Sequence, residues 1–170
     1  MKQKYLIITA TLLLFVIVSC TQKSALQNSK AVDTTTHSDP NYSIYYIVIA
    51  DTGLSYAALH ERMMKINSRF QIPIDTMNRY YNASKDLIVL PDNDKDEAFR
   101  GEYVPRRYPS EYLSLEYLHF YRDNTAKKMI ALVAGIYESK KNADALVKKL
   151  ATVEKKAFQF KANVYIGDIH

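Results

Sequence analysis

The chemistry available to this chain is concentrated between Phe99 and Arg122. That stretch carries Tyr103, Tyr108, Tyr112, Tyr117 and Tyr121, the arginines Arg100, Arg106, Arg107 and Arg122, and the carboxylates Glu102, Glu111 and Glu116. Tyrosine faces stack on sugar rings, and arginine forks bind carboxylates bidentately. Pro105 and Pro109 disfavour helix around the Arg106–Arg107 pair and stiffen the segment, which lowers the ordering cost of binding. Arg100, Tyr103, Arg106, Arg107, Tyr108, Tyr112 and Tyr117 are therefore the candidate ligand-binding residues, and Arg79, Tyr80 and Tyr81 extend the theme upstream. The same residues also support a packing role. Tyrosines at alternate strand positions pack half-buried sheet faces, and Glu–Arg pairs in loops are often internal or solvated ion pairs. The two readings differ in whether rings and guanidinium groups meet on an open surface.

Catalytic and metal-binding patterns are weak, so no catalytic residue, metal or cofactor is expected. His37 lies near the start and His170 is the last residue. His60 falls beside Glu61 and Arg62 on a helical pattern, a position that suits a solvent-exposed ring. His119 falls on an alternating pattern that sends it to the face opposite Glu116. No Ser–His–Asp or Cys–His arrangement can be assembled. Glu102, Glu111 and Glu116 could pair as glycosidase carboxylates only at a separation of about 5–10 Å, which their spacing does not set. The run Asp92–Glu97 starts like a calcium loop. Glu97 stands where such a loop needs glycine and Tyr103 where it needs the bidentate glutamate, so an acidic turn is expected.

The elements that must position these residues follow from the rest of the chain. Of 170 residues, 48% are hydrophobic and 24% charged, with four glycines and one cysteine. This excludes collagen-like and low-complexity chains, and a lone cysteine excludes an intramolecular disulfide and a thiolate-rich zinc site. A net charge of +5 is too small to point to nucleic acid.

Lys2 and Lys4 precede an apolar run, Tyr5–Val18, of about 14 residues, short of the ~20 a spanning helix needs but matching the core of a signal peptide. Ile17-Val18-Ser19-Cys20 resembles a bacterial lipobox, with a small residue before the cut and a cysteine after it. The resemblance implies removal of residues 1–19 and acyl chains such as palmitate on Cys20, each buried methylene contributing ~0.8 kcal/mol of membrane affinity. Thr21 follows in place of Asp, which implies the periplasmic face of the outer membrane. Losing Lys2 and Lys4 lowers the net charge from +5 to +3. Residues 20–41, rich in Ser, Thr, Gln and Asn, read as a flexible tether with a reach of roughly 25 Å. Residues 42–170 then form one domain large enough to fold alone.

Within that domain, Leu59, Met63, Ile66 and Phe70 recur at helical spacing after Ser55, with Pro73 beyond the end. Ala143, Leu146, Val147 and Leu150 do the same after Ser139, with Lys140, Lys141, Lys148 and Lys149 opposite. Ile44–Ala50 and Met129–Tyr137 are continuous apolar runs, each near a glycine, Gly53 and Gly135, and predict covered strands. Leu87–Leu90 predicts a short strand. Leu113–Tyr121 and Ala157–Ile166 alternate as strands do, and Gln71–Asp75 is a further strand candidate. Two strand–helix units about 86 residues apart follow one plan. The order predicts an α+β, ferredoxin-like βαββαβ sandwich, an antiparallel sheet with both helices on one face and a long insert over 76–112.

Val133-Ala134-Gly135-Ile136-Tyr137-Glu138-Ser139, then Asn142-Ala143-Asp144-Ala145-Leu146-Val147-Lys148-Lys149-Leu150, then Ala157-Phe158-Gln159-Phe160 resembles one half of a SPOR (sporulation-related repeat) domain. The resemblance covers about 32 residues, Met129–Phe160. It implies a βαββαβ module of a cell-envelope protein that binds peptidoglycan glycan strands. The first half departs from the pattern, with Ala50-Asp51-Thr52-Gly53 at its turn, and the insert is much longer than the family's middle turn. The expected function is thus a non-catalytic envelope lipoprotein. Its membrane partner is reached through Cys20, and its second partner is peptidoglycan glycan or an envelope protein docked by the same Tyr/Arg loop. A glycan-cleaving enzyme is the third alternative.

Overall fold

The computed structural model of the chain describes residues 39–168; the expected leader, the expected lipid-bearing Cys20 and the expected tether through residue 38 lie outside them. Six strands and two helices follow in the order β1 (Tyr42–Gly53), α1 (Tyr56–Phe70), β2 (Tyr80–Asn82), β3 (Leu87–Val89), β4 (Ser114–Tyr117), β5 (Ile130–Tyr137), α2 (Lys140–Leu150) and β6 (Phe158–Tyr165). Short 3-10 turns occupy Glu97–Phe99 and Leu118–Phe120. Four strands pair in the spatial order β4-β5-β1-β6, antiparallel throughout. With α1 after β1 and α2 after β5, this is the expected ferredoxin-like βαββαβ sandwich, and β2–β3 form a separate hairpin inside the insert.

The helices form where side chains satisfy their ends. Ser55 Oγ accepts the Ala58 N–H at 3.3 Å at the start of α1. Gln71 closes that helix in the left-handed region (φ 57°), its N–H bonded to the Asn67 carbonyl. Leu59, Met63 and Ile66 of α1 and Ala143, Leu146 and Leu150 of α2 are buried against Val48 and Ala50 of β1, Leu115 of β4, and Leu132 and Ala134 of β5. Both helices therefore cover one face of the sheet. Lys148 and Lys149 lie in the last turn of α2, where cations favour the helix dipole. No helix among the described residues is long and apolar enough to cross a membrane.

On the other face, Ile47, Ile49, Ala131, Val133, Ala162 and Val164 form a second apolar cluster with Leu118 and Tyr121. Neither α1 nor α2 covers this side. Its cover comes from the insert and from the turn after β4.

Two expectations are corrected. The alternation of Leu113–Tyr121 does not continue as one strand: β4 ends at Tyr117, a 3-10 turn follows, and Tyr121 folds back onto the helix-free face instead of sharing a side with Tyr117. Gln71–Asp75 contributes only a parallel bridge, Ile74 to Leu113. The Pro73 carbonyl accepts the Leu113 N–H and the Asp75 N–H reaches the Leu113 carbonyl, so this stretch shields the edge of the sheet beside β4. The expected Met129–Tyr137 strand is observed as β5, with Gly135 two residues before its end. A Cβ there would stand 2.5 Å from the Tyr137 ring, which lies against the bare backbone.

Candidate functional site

The helix-free face begins with β4. Ser114 and Glu116 pair with Val133 and Ala131, so they share the side occupied by the second apolar cluster. Glu116 is fully buried there, and a carboxylate in that position must be paired. Arg79 supplies the pair: Nη1 donates to Oε2 at 2.7 Å and Nη2 to Oε1 at 2.5 Å. The rest of the Arg79 fork donates to the carbonyls of Thr76 and Val104. The Tyr103 hydroxyl donates to Glu116 Oε2 at 2.5 Å and accepts the Tyr117 N–H at 3.1 Å. Burial raises the Glu116 carboxyl, but the Arg79 fork with the hydroxyls of Tyr103 and Ser114 outweighs it and leaves the group below its ordinary value. Burial, then the Glu116 charge, pushes the phenols of Tyr103 and Tyr121 well above theirs, so both stay neutral donors.

Arg106 is a second buried cation, 1% exposed, and no carboxylate among the described residues lies at ion-pair distance from it. Nε donates to Ser110 Oγ at 2.9 Å, Nη1 to the Tyr112 carbonyl at 2.9 Å, and Nη2 to the Ser110 carbonyl. Its Cζ lies 3.6 Å from the centre of the Tyr112 ring. Burial lowers its pKa from the usual guanidinium range. The Arg106 carbonyl in turn accepts the Tyr121 hydroxyl at 2.8 Å. Arg106 thus pins the 106–114 loop onto the sheet.

Above this network runs a groove with two bays. The first, of about 310 Å³, is walled by Phe99, Val104, Pro105, Phe120, Val164 and Tyr165, with Tyr103, Arg106, Arg107 and Tyr121 completing it. The second, of about 640 Å³, follows β6 past Phe158 and Phe160 and is bordered by Arg122, Asp123 and Lys161. Phe120 and Tyr121 belong to both bays. Phe120 is 42% exposed and packs on Tyr103 at a centroid distance of 4.9 Å. Phe158 and Phe160 stack at 6.1 Å, and Arg122 lies 5.7 Å above the Phe160 ring. The surface offers ring faces for stacking, with cations at its rim.

Of the seven predicted ligand residues, the structure brings Tyr103, Arg106 and Arg107 to this groove. Arg107 is half-buried and its Nη1 donates to the Gly167 carbonyl. Arg106 and Tyr117 are corrected from surface contacts to internal ones. Arg106 is consumed by the loop it pins, and the Tyr117 hydroxyl accepts the Ile88 N–H at 2.9 Å, holding the β2–β3 hairpin. The Tyr112 ring is the platform under Arg106. Tyr108 is 58% exposed but outside both bays. Arg100 turns toward the acidic turn, with Nε on the Asp94 carbonyl and Nη2 3.2 Å from Glu97. Two of that turn's carboxylates are held by its own backbone: Asp94 accepts from Asp96 N–H and Asp96 from Ala98 N–H. His60 is exposed and stacks on Tyr56. No three His, Cys, Asp or Glu side chains converge on a metal position among the described residues.

Sequence reasoning missed Phe99, Phe120, Phe158, Phe160 and Tyr165. The signal was present: Phe158, Phe160, Ala162 and Val164 alternate on one side of β6, and two helices on one face leave the other for that side. In the comparisons with known proteins, no family model, curated protein or solved structure matches the chain.

Proposed function

We propose that this chain is a non-catalytic, lipid-anchored envelope protein that holds a peptidoglycan glycan strand along the helix-free face of its sheet. The observation that carries the reading is the two-bay groove over β6, whose aromatic walls and cationic rim suit sugar rings bearing carboxylates. Cys20 is the anchoring residue in this reading, on the periplasmic face of the outer membrane. Glu116 is the carboxylate beneath the groove, fully buried, with both its oxygens taken by Arg79 and Tyr103, so neither oxygen faces a sugar in the groove. Glu111 is held by the Tyr137 hydroxyl at 2.7 Å and lines a different cleft, beside α2.

Sedimentation with purified sacculi tests this. Phe120→Ala and Arg107→Ala should each weaken binding about tenfold while the melting temperature stays within a few degrees. Undiminished binding by both variants removes the groove from consideration. Failure of the parent protein to bind sacculi, with in-cell cross-links from position 120 to another protein, would select the adaptor alternative. Release of soluble muropeptides would select the enzyme.

A further inference from the structure

The helical layer carries a surface that the groove does not use. Along α2 and the turn after it, Lys141, Lys148, Lys149, Lys155 and Lys156 are exposed, as is Arg69 at the end of α1. Among the described residues none of these six has a carboxylate at ion-pair distance. Four acids of this layer are paired with other cations, Glu61 with Lys65, Asp144 with Lys140, and Asp51 and Glu154 with Arg62, while Glu138 stands exposed just before α2. A cleft of about 550 Å³ gathers Arg62, Lys65, Lys155 and Lys156 around Val153; Glu61 and Glu154 also line it, paired with Lys65 and Arg62, which leaves Lys155 and Lys156 as its unpaired charges. Val153 is 44% exposed, Met64 on α1 47%, and Leu54 just before α1 67%. Cations with free charge, interleaved with exposed apolar side chains, are the composition of a surface that lies in a lipid interface. The exposed acids Asp92, Asp96 and Glu97 belong to the insert, whose Phe99 walls the groove on the opposite face.

We propose that the helical layer is a second binding surface, which lies against a bilayer bearing anionic headgroups and turns the groove away from it. The surface stands independently of the groove; only the orientation rests on the reading above. Residues 37–170 form one compact unit that contains both apolar clusters and every strand pair, so this unit carries its own core and folds without the leader.

The test is co-sedimentation of that unit with phosphatidylcholine vesicles, with and without one-third phosphatidylglycerol. It should bind only the anionic vesicles and be released by ~0.5 M salt. Each lysine near such a surface multiplies partitioning about fivefold, so neutralising Lys148, Lys155 and Lys156 as K148Q/K155Q/K156Q should cost roughly a hundredfold. L54S/V153S should weaken binding as well, whereas K85Q/K95Q in the insert should leave it unchanged. Equal binding to both vesicle types overturns the proposal, as does indifference to K148Q/K155Q/K156Q with folding verified by circular dichroism. Full competition by a soluble polyanion with no effect of L54S/V153S assigns the surface to a polymer and also overturns it. Sacculus binding by K148Q/K155Q/K156Q should equal that of the parent, which separates failure here from failure of the groove.

Discussion

Replacing Arg79 with methionine removes the fork while keeping most of the side-chain length. Glu116, fully buried, loses both of its guanidinium bonds and keeps the Tyr103 hydroxyl. Breaking one side of a buried pair costs about 3–5 kcal/mol because the remaining charge is stranded. Against a total stability of roughly 5–15 kcal/mol, that is a large share. At ~3–5 °C per kcal/mol for a domain of this size, the melting temperature should fall by about 10–20 °C. The pH dependence is the sharper readout. In the parent, the Glu116 pKa lies below its unfolded value, so its stabilising contribution is present at neutral pH and is lost as pH falls through and below about 4. Burial is the strongest influence on this carboxyl and acts upward. Without Arg79 it prevails, and the folded pKa rises above the unfolded one. The stability from this group is then full only at low pH and is lost as pH rises through the raised value. Urea unfolding should therefore show a larger loss at about pH 7.5 than at about pH 5. Arg79→Met combined with Glu116→Gln removes the stranded charge and keeps an acceptor for Tyr103; it should recover most of the loss and abolish the extra pH slope. A double variant no more stable than the single one, with the same loss at both pH values, would refute the pairing as the source of the energy.

Gly135→Ala should destabilise by about 1–3 kcal/mol, since the added methyl meets the Tyr137 ring at 2.5 Å; thermal melts should show the loss partly relieved by Tyr137→Ala in the same chain. The two helix starts should respond differently to Ser→Ala. Ser55 caps α1 through its side chain and should cost about 1 kcal/mol by urea titration. Ser139 makes no side-chain bond to α2, so the same change should be nearly neutral.

The sheet and helices were legible because their hydrophobic periods are undisturbed. Leu59-Met63-Ile66 and Ala143-Leu146-Leu150 repeat at helical spacing, and the runs that became β1 and β5 are apolar on every residue that meets a covered face. The insert was less legible because short elements carry little pattern. Tyr80–Asn82 is a three-residue strand whose partner lies across a turn, and two tyrosines are too short a run to mark it. Alternation through Leu113–Tyr121 concealed the turn at Leu118, because Tyr121 is buried either way and only the identity of its neighbours changes. Residue type misled at Arg106. An arginine beside prolines reads as exposed, and its burial depends on three acceptors at Ser110 and Tyr112 that only the folded loop brings together. Glu116 was a partial signal. Its place opposite Leu115 and Tyr117 puts a carboxylate on the sheet side away from the helices, so a cationic partner was required, but the one that serves lies 37 residues away.

If the proposed function holds, packing and recognition, the two readings of the Tyr/Arg segment, belong to different layers of it. Arg79, Glu116, Arg106 and the hydroxyls of Tyr103 and Tyr121 are spent beneath the groove, where no ligand reaches their charges. The Tyr103 ring, Val104, Pro105 and the Phe120 ring stand above that network and form its outer wall. A loop held by a buried ion pair, by a guanidinium bonded to two neighbouring carbonyls and by prolines at 105 and 109 has little freedom left to lose. Binding to such a wall does not have to order the loop first, which in a flexible segment would cost about 0.5–1.5 kcal/mol for each side chain immobilised. In the proposed function, the buried charges would serve recognition indirectly, by fixing the position of apolar rings, and the residues to touch a glycan would be the aromatic ones, whose chemistry is least specific. Selectivity must then come from the rim, where Arg107, Arg122 and Lys161 remain accessible to an anionic group.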